Sequence, residues 1–429
     1  MTGNPTLKQP FPTSLPKDKI KILLLEGISD TAVGVLIAAG YTNIERHTKA
    51  LDGDALRKAL VGVRLLGIRS RTQITEDVID GIRSLVAVGC FSVGTNQVDL
   101  VACAAMGIPV FNAPFSNTRS VAELTIAEIV MLMRRIYPKS VSAHAGGWDK
   151  SAIGSNEVRN KTLGIIGYGN IGSQLAVLAE AFGMRVIYYD HTDKLRHGNV
   201  EPVDTLDELL AKSDVITIHV PETAQTQGMI GPRQIAAMKK GAIFINNARG
   251  SVVDLDALAS ALRDKHLSGA AIDVFPVEPS SNAEKFKTPL QGLDNVILTP
   301  HVGGSTEEAQ ERIGSEVARK FIEYSDVGST TGAVNFPQVQ LSPRPTAGTR
   351  FIQVQRNLPG ELGRLNEIFA RRKVNIAAQY YQTAGDLGYV VLDADGSVPQ
   401  AEEVVREIRA LSGTIRARML YRRSGPALA

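Results

Sequence analysis

From Lys21 onward, short unbroken apolar runs alternate with stretches of helical periodicity. Residues 22–25 (ILLL), 65–68 (LLGI), 85–88 (LVAV) and 109–111 (PVF) read as strands, and residues 29–39 as a helix. Strands with no polar alternation, separated by helices, imply a parallel sheet covered on both faces. A turn-rich stretch, residues 112–119, then leads into Ser120-Val121-Ala122-Glu123, a capping-box pattern that predicts a helix running towards Tyr137. A second alternation of strands and helices begins at Thr162 and lasts to about Thr299. Two α/β units are expected, with the helix after Ser120 crossing between them.

The pattern changes after a Pro-rich connector that runs from Asn335 to Pro345. Beyond it, residues 350–355, 376–382, 389–392 and 415–420 read as strands, and residues 362–370 and 402–411 as helices. Strand-helix-strand-strand-helix-strand is the split ferredoxin-like order. No solenoid-type repeat is visible.

Gly167-Tyr168-Gly169-Asn170-Ile171-Gly172 is a G-x-G-x-x-G loop. It follows the apolar run 163–166 and opens a helix carrying Leu175, Leu178 and Ala179. Glycines allow a tight turn and close approach to a pyrophosphate, whose charge a helix N-terminus favours. The amides of Asn170 and Ile171 are the expected donors. The next strand, residues 185–189, ends at Asp190, 18 residues past Gly172. An acid there hydrogen-bonds the ribose hydroxyls of NAD and repels the extra phosphate of NADP. The cofactor expected is therefore NAD.

Three later strands each end in a polar residue. Residues 243–248 lead to Arg249, residues 270–275 to Glu278, and residues 295–300 to His301. Asp273 and His219 also stand at strand ends and could contact the cofactor. Ligands of open parallel sheets lie beyond the carboxyl ends of the strands, so these side chains can share a crevice. Oxidising a secondary alcohol needs a base, which His301 can supply near neutral pH. Glu278 would fix its ring and raise its pKa. Arg249 can grip a substrate carboxylate bidentately. Singly, each has a structural reading: a packed histidine, a solvated arginine, a glutamate opening a turn. Their shared placement after a dinucleotide loop favours the chemical one.

Composition narrows the class. The 429 residues are too many for one ordinary core. With 47 Lys and Arg against 44 Asp and Glu, the net charge of +3 gives no reason to expect nucleic acid as a partner. Arg416, Arg418, Arg422 and Arg423 make the end locally basic, and a strand's solvent face accounts for them. The 2 cysteines, Cys90 and Cys103, lack metal-ligand spacing, and Cys90 reads as a buried strand end. No metal is expected. Residues 1–19 lack the apolar core of a signal peptide, and no run approaches the roughly 20 residues of a membrane span. A cytoplasmic protein is the expectation.

The set GYGNIG, NNARG, AIDVFPVEP and TPHVGGST closely resembles the D-isomer-specific 2-hydroxy-acid dehydrogenases. IRSRT at residues 68–72, VGTNQVDL and NAPFSNTRSVAE are similar to the members that oxidise D-3-phosphoglycerate with NAD, the first step of phosphorylated L-serine biosynthesis. The resemblance implies Arg249, Glu278 and His301 as the catalytic residues. Asn247, Ala248, Asp273, Gly303 and Gly304 match cofactor contacts, and Arg69, Ser70, Arg71, Asn117 and Gln310 match substrate contacts. Trp148 and Lys150 match residues that approach the active site of a neighbouring subunit.

The family fold implies a discontinuous substrate domain, 19–116 and 306–335, around an NAD domain at 117–305 with a cleft that closes over the substrate. A linker at 336–348 and a regulatory unit at 349–421 similar to ACT domains follow. L-serine is the implied effector, with Gln355, Asn357 and Asn375 at matching positions, and a homotetramer the implied assembly. Gln355 stands where serine-regulated members commonly carry histidine, a departure that bears on the strength of inhibition. Ala347-Gly348-Thr349 replaces the usual Gly-Gly hinge. Relatives acting on 2-hydroxyglutarate, hydroxypyruvate or glyoxylate form the alternative enzyme class, with 2-oxoglutarate reduction as a side activity. An NAD-sensing corepressor-like scaffold is the remote one.

Overall fold

The computed structural model describes residues 15–279, 284–341, 348–395, 398 and 400–422. The connector residues Pro343–Pro345, Ala347 and Arg423 lie outside them. Two compact units divide the chain: Met1–Ser116 with Gln310–Ala429, and Asn117–Ala309.

In the first unit, β1 (Lys21–Leu24), β2 (Ile44–Arg46), β3 (Val63–Ile68), β4 (Ala87–Cys90) and β5 (Val110–Phe111) form a parallel sheet in the order β2-β1-β3-β4-β5. Helices α1 (Asp30–Ala38), α2 (Gly53–Ala59), α3 (Glu76–Ile79) and α4 (Leu100–Ala105) connect the strands. The strand order reverses between β1 and β3, and ligands bind at such a reversal beyond the strand ends. Cys90 and Cys103 are buried in this unit, and burial pushes both thiols up, Cys103 to about 12. Both are therefore unreactive packing residues.

The second unit opens with α5 (Thr118–Met133) and α6 (Ile136–His144), not with one helix reaching Tyr137. Pro138 has no N–H to give the carbonyl of Arg134, so a continuous helix would fail there. Arg135 turns left-handed at φ 53°, and the loop that returns donates Asn156 N to Met133 O at 2.7 Å. The capping box does not form either. Ser120 sits inside the first turn with its hydroxyl 2.9 Å from that of Thr306, while Glu123 pairs with Arg119 at 2.6 Å.

Seven parallel strands follow: β6 (Thr162–Ile166), β7 (Arg185–Tyr189), β8 (Glu201–Pro202), β9 (Val215–Ile218), β10 (Ile243–Asn246), β11 (Gly269–Ile272) and β12 (Val296–Leu298). Their order is β12-β11-β10-β9-β6-β7-β8, with the reversal between β6 and β9. Helices α7 (Asn170–Ala181), α8 (Leu206–Lys212), α9 (Pro232–Ala237) and α10 (Leu255–Arg263) cover the sheet. Side chains of Thr205 and Asp254 cap α8 and α10, each contributing about 1 kcal/mol. Separate cores pack on the two faces, one including Phe244, Leu258 and Ile272, the other Ile129, Leu175 and Ile245.

Helix α11 (Glu307–Val327) leads back into the first unit. The last segment, β13 (Thr349–Arg356), α12 (Glu361–Arg371), β14 (Ile376–Ala384), β15 (Leu387–Ala394), α13 (Ala401–Ala410) and β16 (Thr414–Arg422), forms an antiparallel sheet in the order β14-β15-β13-β16. Phe351, Val390 and Leu392 pack under α12 and α13, whereas Ile352, Val354, Tyr389 and Val391 join the core of Phe111, Phe321 and Tyr324. Both faces of β13 are thus buried. This corrects the reading of the terminal arginines. Arg416 donates to the carbonyl of Leu85, and Arg418 donates to Tyr324 O at 3.0 Å while its guanidinium lies 4.4 Å from that ring's centre. Their face of β16 is an internal seam, not a solvent face; of Arg422 only the backbone is described.

Candidate active site

At the β6–α7 junction, Gly167 adopts φ +91°, and a Cβ there would lie 2.6 Å from the carbonyl oxygen of His219. A Cβ on Gly172 would lie 2.5 Å from Gly167 O, so helix and loop close only through glycine. At Gly169 a Cβ would meet nothing within 4 Å, which leaves room above the first turn of α7. The amides of Asn170 and Ile171 open that turn, where helix N–H groups have no partner within the helix. The Asp190 carboxylate, at the end of β7, is fixed by Tyr168 N at 2.9 Å and Thr192 N at 3.1 Å. Open space at a helix N-terminus beside a fixed carboxylate fits a pyrophosphate and its ribose.

Beyond the ends of β10, β11 and β12 stand the other candidates. Asn246 holds its own turn, accepting Ala248 N at 3.1 Å and donating to Arg249 O at 2.9 Å. His301 Nδ1 lies 2.9 and 3.1 Å from the two oxygens of Glu278. With Nδ1–H donated to the carboxylate, Nε2 is left with its lone pair as a base. The Glu278 hydrogen bond raises the His301 pKa; burial opposes this, and the charges of Glu278 and Asp273 add to it. Burial pushes Glu278 up, but its bond to His301, that cation's charge and the amide of Phe275 prevail and hold it below the usual range.

His301 occupies a left-handed conformation at φ 55°, which costs a non-glycine residue about 1–3 kcal/mol. Asp273 offsets that cost. Its carboxylate accepts Thr299 Oγ1 at 2.6 Å, Val302 N at 2.8 Å and Gly303 N at 2.8 Å, and its carbonyl accepts His301 N at 2.8 Å. Gly304 packs against Asn117, whose Nδ2 would be 2.4 Å from an added Cβ. His219 differs from His301: burial holds it down to about 4, so it is neutral at physiological pH. Its Nε2 meets Thr217 Oγ1 at 3.0 Å, and it is no candidate for the base.

The family model of the NAD-binding domain of D-isomer specific 2-hydroxyacid dehydrogenases matches residues 126–303, and that of AHAS small subunit-like ACT domains matches residues 352–416. The chain is 55% identical to D-3-phosphoglycerate dehydrogenase of Escherichia coli strain K12 over 408 residues, 95% of this chain and 99% of that one. It is 44% identical to the Dictyostelium discoideum enzyme of the same name, over 95% of this chain and 99% of that one. A crystal structure of D-lactate dehydrogenase from Aquifex aeolicus with NAD and lactic acid superposes with a TM-score of 0.64, at 30% identity over 74% of this chain and all of that one. The chain belongs to the D-isomer-specific 2-hydroxyacid dehydrogenases. It is an NAD-dependent oxidoreductase with a C-terminal ACT domain.

In this 2-hydroxyacid dehydrogenase, Arg69, Ser70, Arg71 and Gln310 belong to the first unit, and Asn117, Trp148 and Lys150 to the second. Arg69 to Thr72 follow β3 at the strand reversal, and one residue that the sequence reading passed over organises them. Glu26, just past β1 with φ 61°, accepts the backbone amides of Arg69, Arg71 and Thr72 at 3.1, 3.0 and 2.9 Å. Burial pushes this carboxyl up, but those amides outweigh it and hold it below its usual value. The loop is thereby fixed from below, with Arg71 exposed. An acid closing the apolar run ILLLEG was the available signal.

Trp148 is 85% exposed and Lys150 is exposed, on the loop after α6. In the ACT domain, Asn357 and Asn375 are exposed, and Asn357 ties to the β14–β15 turn through Gly385 O at 3.0 Å. Gln355 is fully buried on the helix side of β13, and its amide nitrogen and oxygen have no hydrogen-bond partner among the described residues. The structure does not bring Gln355 to the surface beside the two asparagines. No group of metal-ligating side chains occurs among the described residues, and none of their helices is long and apolar enough to cross a membrane.

Proposed function

We propose that this enzyme oxidises the 2-hydroxyl of D-3-phosphoglycerate to 3-phosphohydroxypyruvate, the first step of phosphorylated L-serine biosynthesis. The observation that carries the reading is 55% identity to an enzyme of that name across 95% of this chain. Bound NAD supplies the acceptor for the hydride leaving C2. His301 Nε2 takes the hydroxyl proton, and Glu278 stabilises the imidazolium that forms. Arg249 orients the substrate carboxylate through paired N–H donors. Arg69 and Arg71 take the phosphate, for which a guanidinium fork is well suited. Arg71→Ala should raise KM for D-3-phosphoglycerate roughly tenfold to a hundredfold with a smaller change in kcat. A fall in kcat at unchanged KM would move Arg71 out of the phosphate site.

The same reading gives a pH dependence. Oxidation needs His301 neutral, so the rate rises with pH through a His301 pKa above 6.5. Glu278 is the largest cause of that elevation. Glu278→Gln should therefore move the rising limb of kcat/KM to lower pH while lowering its plateau. A limb that stays in place would show that another group titrates.

We also propose L-serine as the effector and a homotetramer as the assembly. The ACT match and the exposed Asn357 and Asn375 support the first; the exposed Trp148 and Lys150, as contributors to a second copy's site, support the second. The Gln355 amide, enclosed here, is what distinguishes this effector site from one built on histidine. Inhibition assays with L-serine and sedimentation of the purified enzyme test the two claims separately.

A further inference from the structure

Helix α5 buries an acid that none of the roles above uses. Glu128 is 2% exposed, on the face of α5 towards β10 and β11. Its Oε2 accepts Nδ2 of Asn247 at 2.7 Å, and the same nitrogen donates to Thr125 Oγ1 at 3.0 Å. The Thr125 hydroxyl proton is spent on Val121 O at 2.8 Å, so Thr125 can only accept from Asn247. That fixes which way the Asn247 amide faces. Asn247 is the midpoint of a turn with little freedom elsewhere. Asn246 bonds to both Ala248 and Arg249, and at Gly250 an added Cβ would lie 2.0 Å from the carbonyl carbon of Phe275.

We propose that Glu128 is a positioning residue for hydride transfer: by accepting the Asn247 amide beneath the turn, it sets the direction in which Arg249 meets the substrate carboxylate. The proposal rests on the assignment of Arg249 above. Asp273, on the adjoining strand end, is the charged group that acts on Glu128; Thr125 and Asn247 are neutral. Asp273 accepts from three donors, whereas Glu128 accepts from one amide and has a buried, unpartnered Oε1. Burial, then the charge of Asp273, push Glu128 up to about 8 against the Asn247 bond. At neutral pH Glu128 is a neutral acid that holds Asn247 through an oxygen, which glutamine can imitate and leucine cannot.

The test compares Glu128→Leu and Glu128→Gln with the unsubstituted enzyme. Glu128→Leu should lower kcat/KM for the hydroxy acid about a hundredfold, the scale of an ångström's misplacement. Glu128→Gln should recover most of that loss. Thermal midpoints supply a second readout that needs no turnover. Unfolded Glu128 ionises from about 4.5 upward and folded Glu128 near 8, so the unfolded state binds fewer protons between those values. The unsubstituted enzyme should therefore lose stability relative to Glu128→Gln as pH rises to about 8, and no further above it. Leucine and glutamine variants of equal activity, or a pH-independent difference in midpoint, would overturn the proposal. Failure of the dehydrogenase reading would look different, because the unsubstituted enzyme would then not turn over.

Discussion

His301→Ala is expected to lower kcat by roughly two to four orders of magnitude, with a much smaller change in the affinity for NADH. The size follows from the proposed role of His301 as a base that its surroundings aim and tune. Nδ1 is committed to Glu278 at 2.9 Å, the backbone is held at φ 55°, and Asp273 fixes the residues on either side. The glycine loop at Gly167–Gly172, the candidate cofactor loop, touches none of these bonds, so NADH binding measured by fluorescence should persist. Steady-state kinetics on the same preparation then separates the two functions. A variant that retained a tenth of the original turnover would show that another group takes the proton. His219 is a poor substitute, being neutral and buried with a pKa near 4.

The second large effect concerns the ACT domain's attachment. Arg350 and Asp393 are nearly inaccessible, at 2% and 5% of their side-chain area, and pair through bonds of 2.6 and 2.7 Å. Arg350 also donates to Val327 O at 2.9 Å, and the Tyr389 hydroxyl donates to Gly328 O at 2.7 Å, so both side chains grip carbonyls at the end of α11. A cation and a hydroxyl are well placed there, where helix carbonyls lack partners. Asp393→Ala leaves the arginine buried without its carboxylate, at a cost of about 3–5 kcal/mol. The expected result is a lower denaturant midpoint and faster amide exchange along β13. Double replacement by apolar residues of similar volume should restore much of the loss. Wild-type stability in Asp393→Ala would mean that Arg350 reaches solvent.

Much of the candidate site was legible because parallel sheets put candidate ligand-facing residues at strand ends, and linear sequence preserves those positions. Gly167–Gly172, Asp190, Arg249, Glu278 and His301 could be read that way, and so could the strand and helix order of the last segment. The partners of Glu26 and Glu128 could not. Each glutamate is a single acid beside apolar residues, and its partners, the amides of residues 69–72 or the side chain of Asn247, are brought to it only by folding. Strand β2, Ile44–Arg46, has no apolar run to announce it. Alternation gave β13 and β16 correctly as strands but the exposure of the arginine face of β16 wrongly, because period two reports two faces and not which one meets water. Arg416 and Arg418 therefore looked like surface charges.

Oxidation of a phosphorylated D-2-hydroxy acid is tested most directly by NADH formation at alkaline pH. The measurement compares kcat/KM for D-3-phosphoglycerate with that for D-glycerate, the same acid without phosphate. A preference of at least about a hundredfold for the phosphorylated acid is the predicted result, since a site with unpaired arginines rejects a substrate that cannot satisfy them. Equal or faster oxidation of D-glycerate would contradict the account.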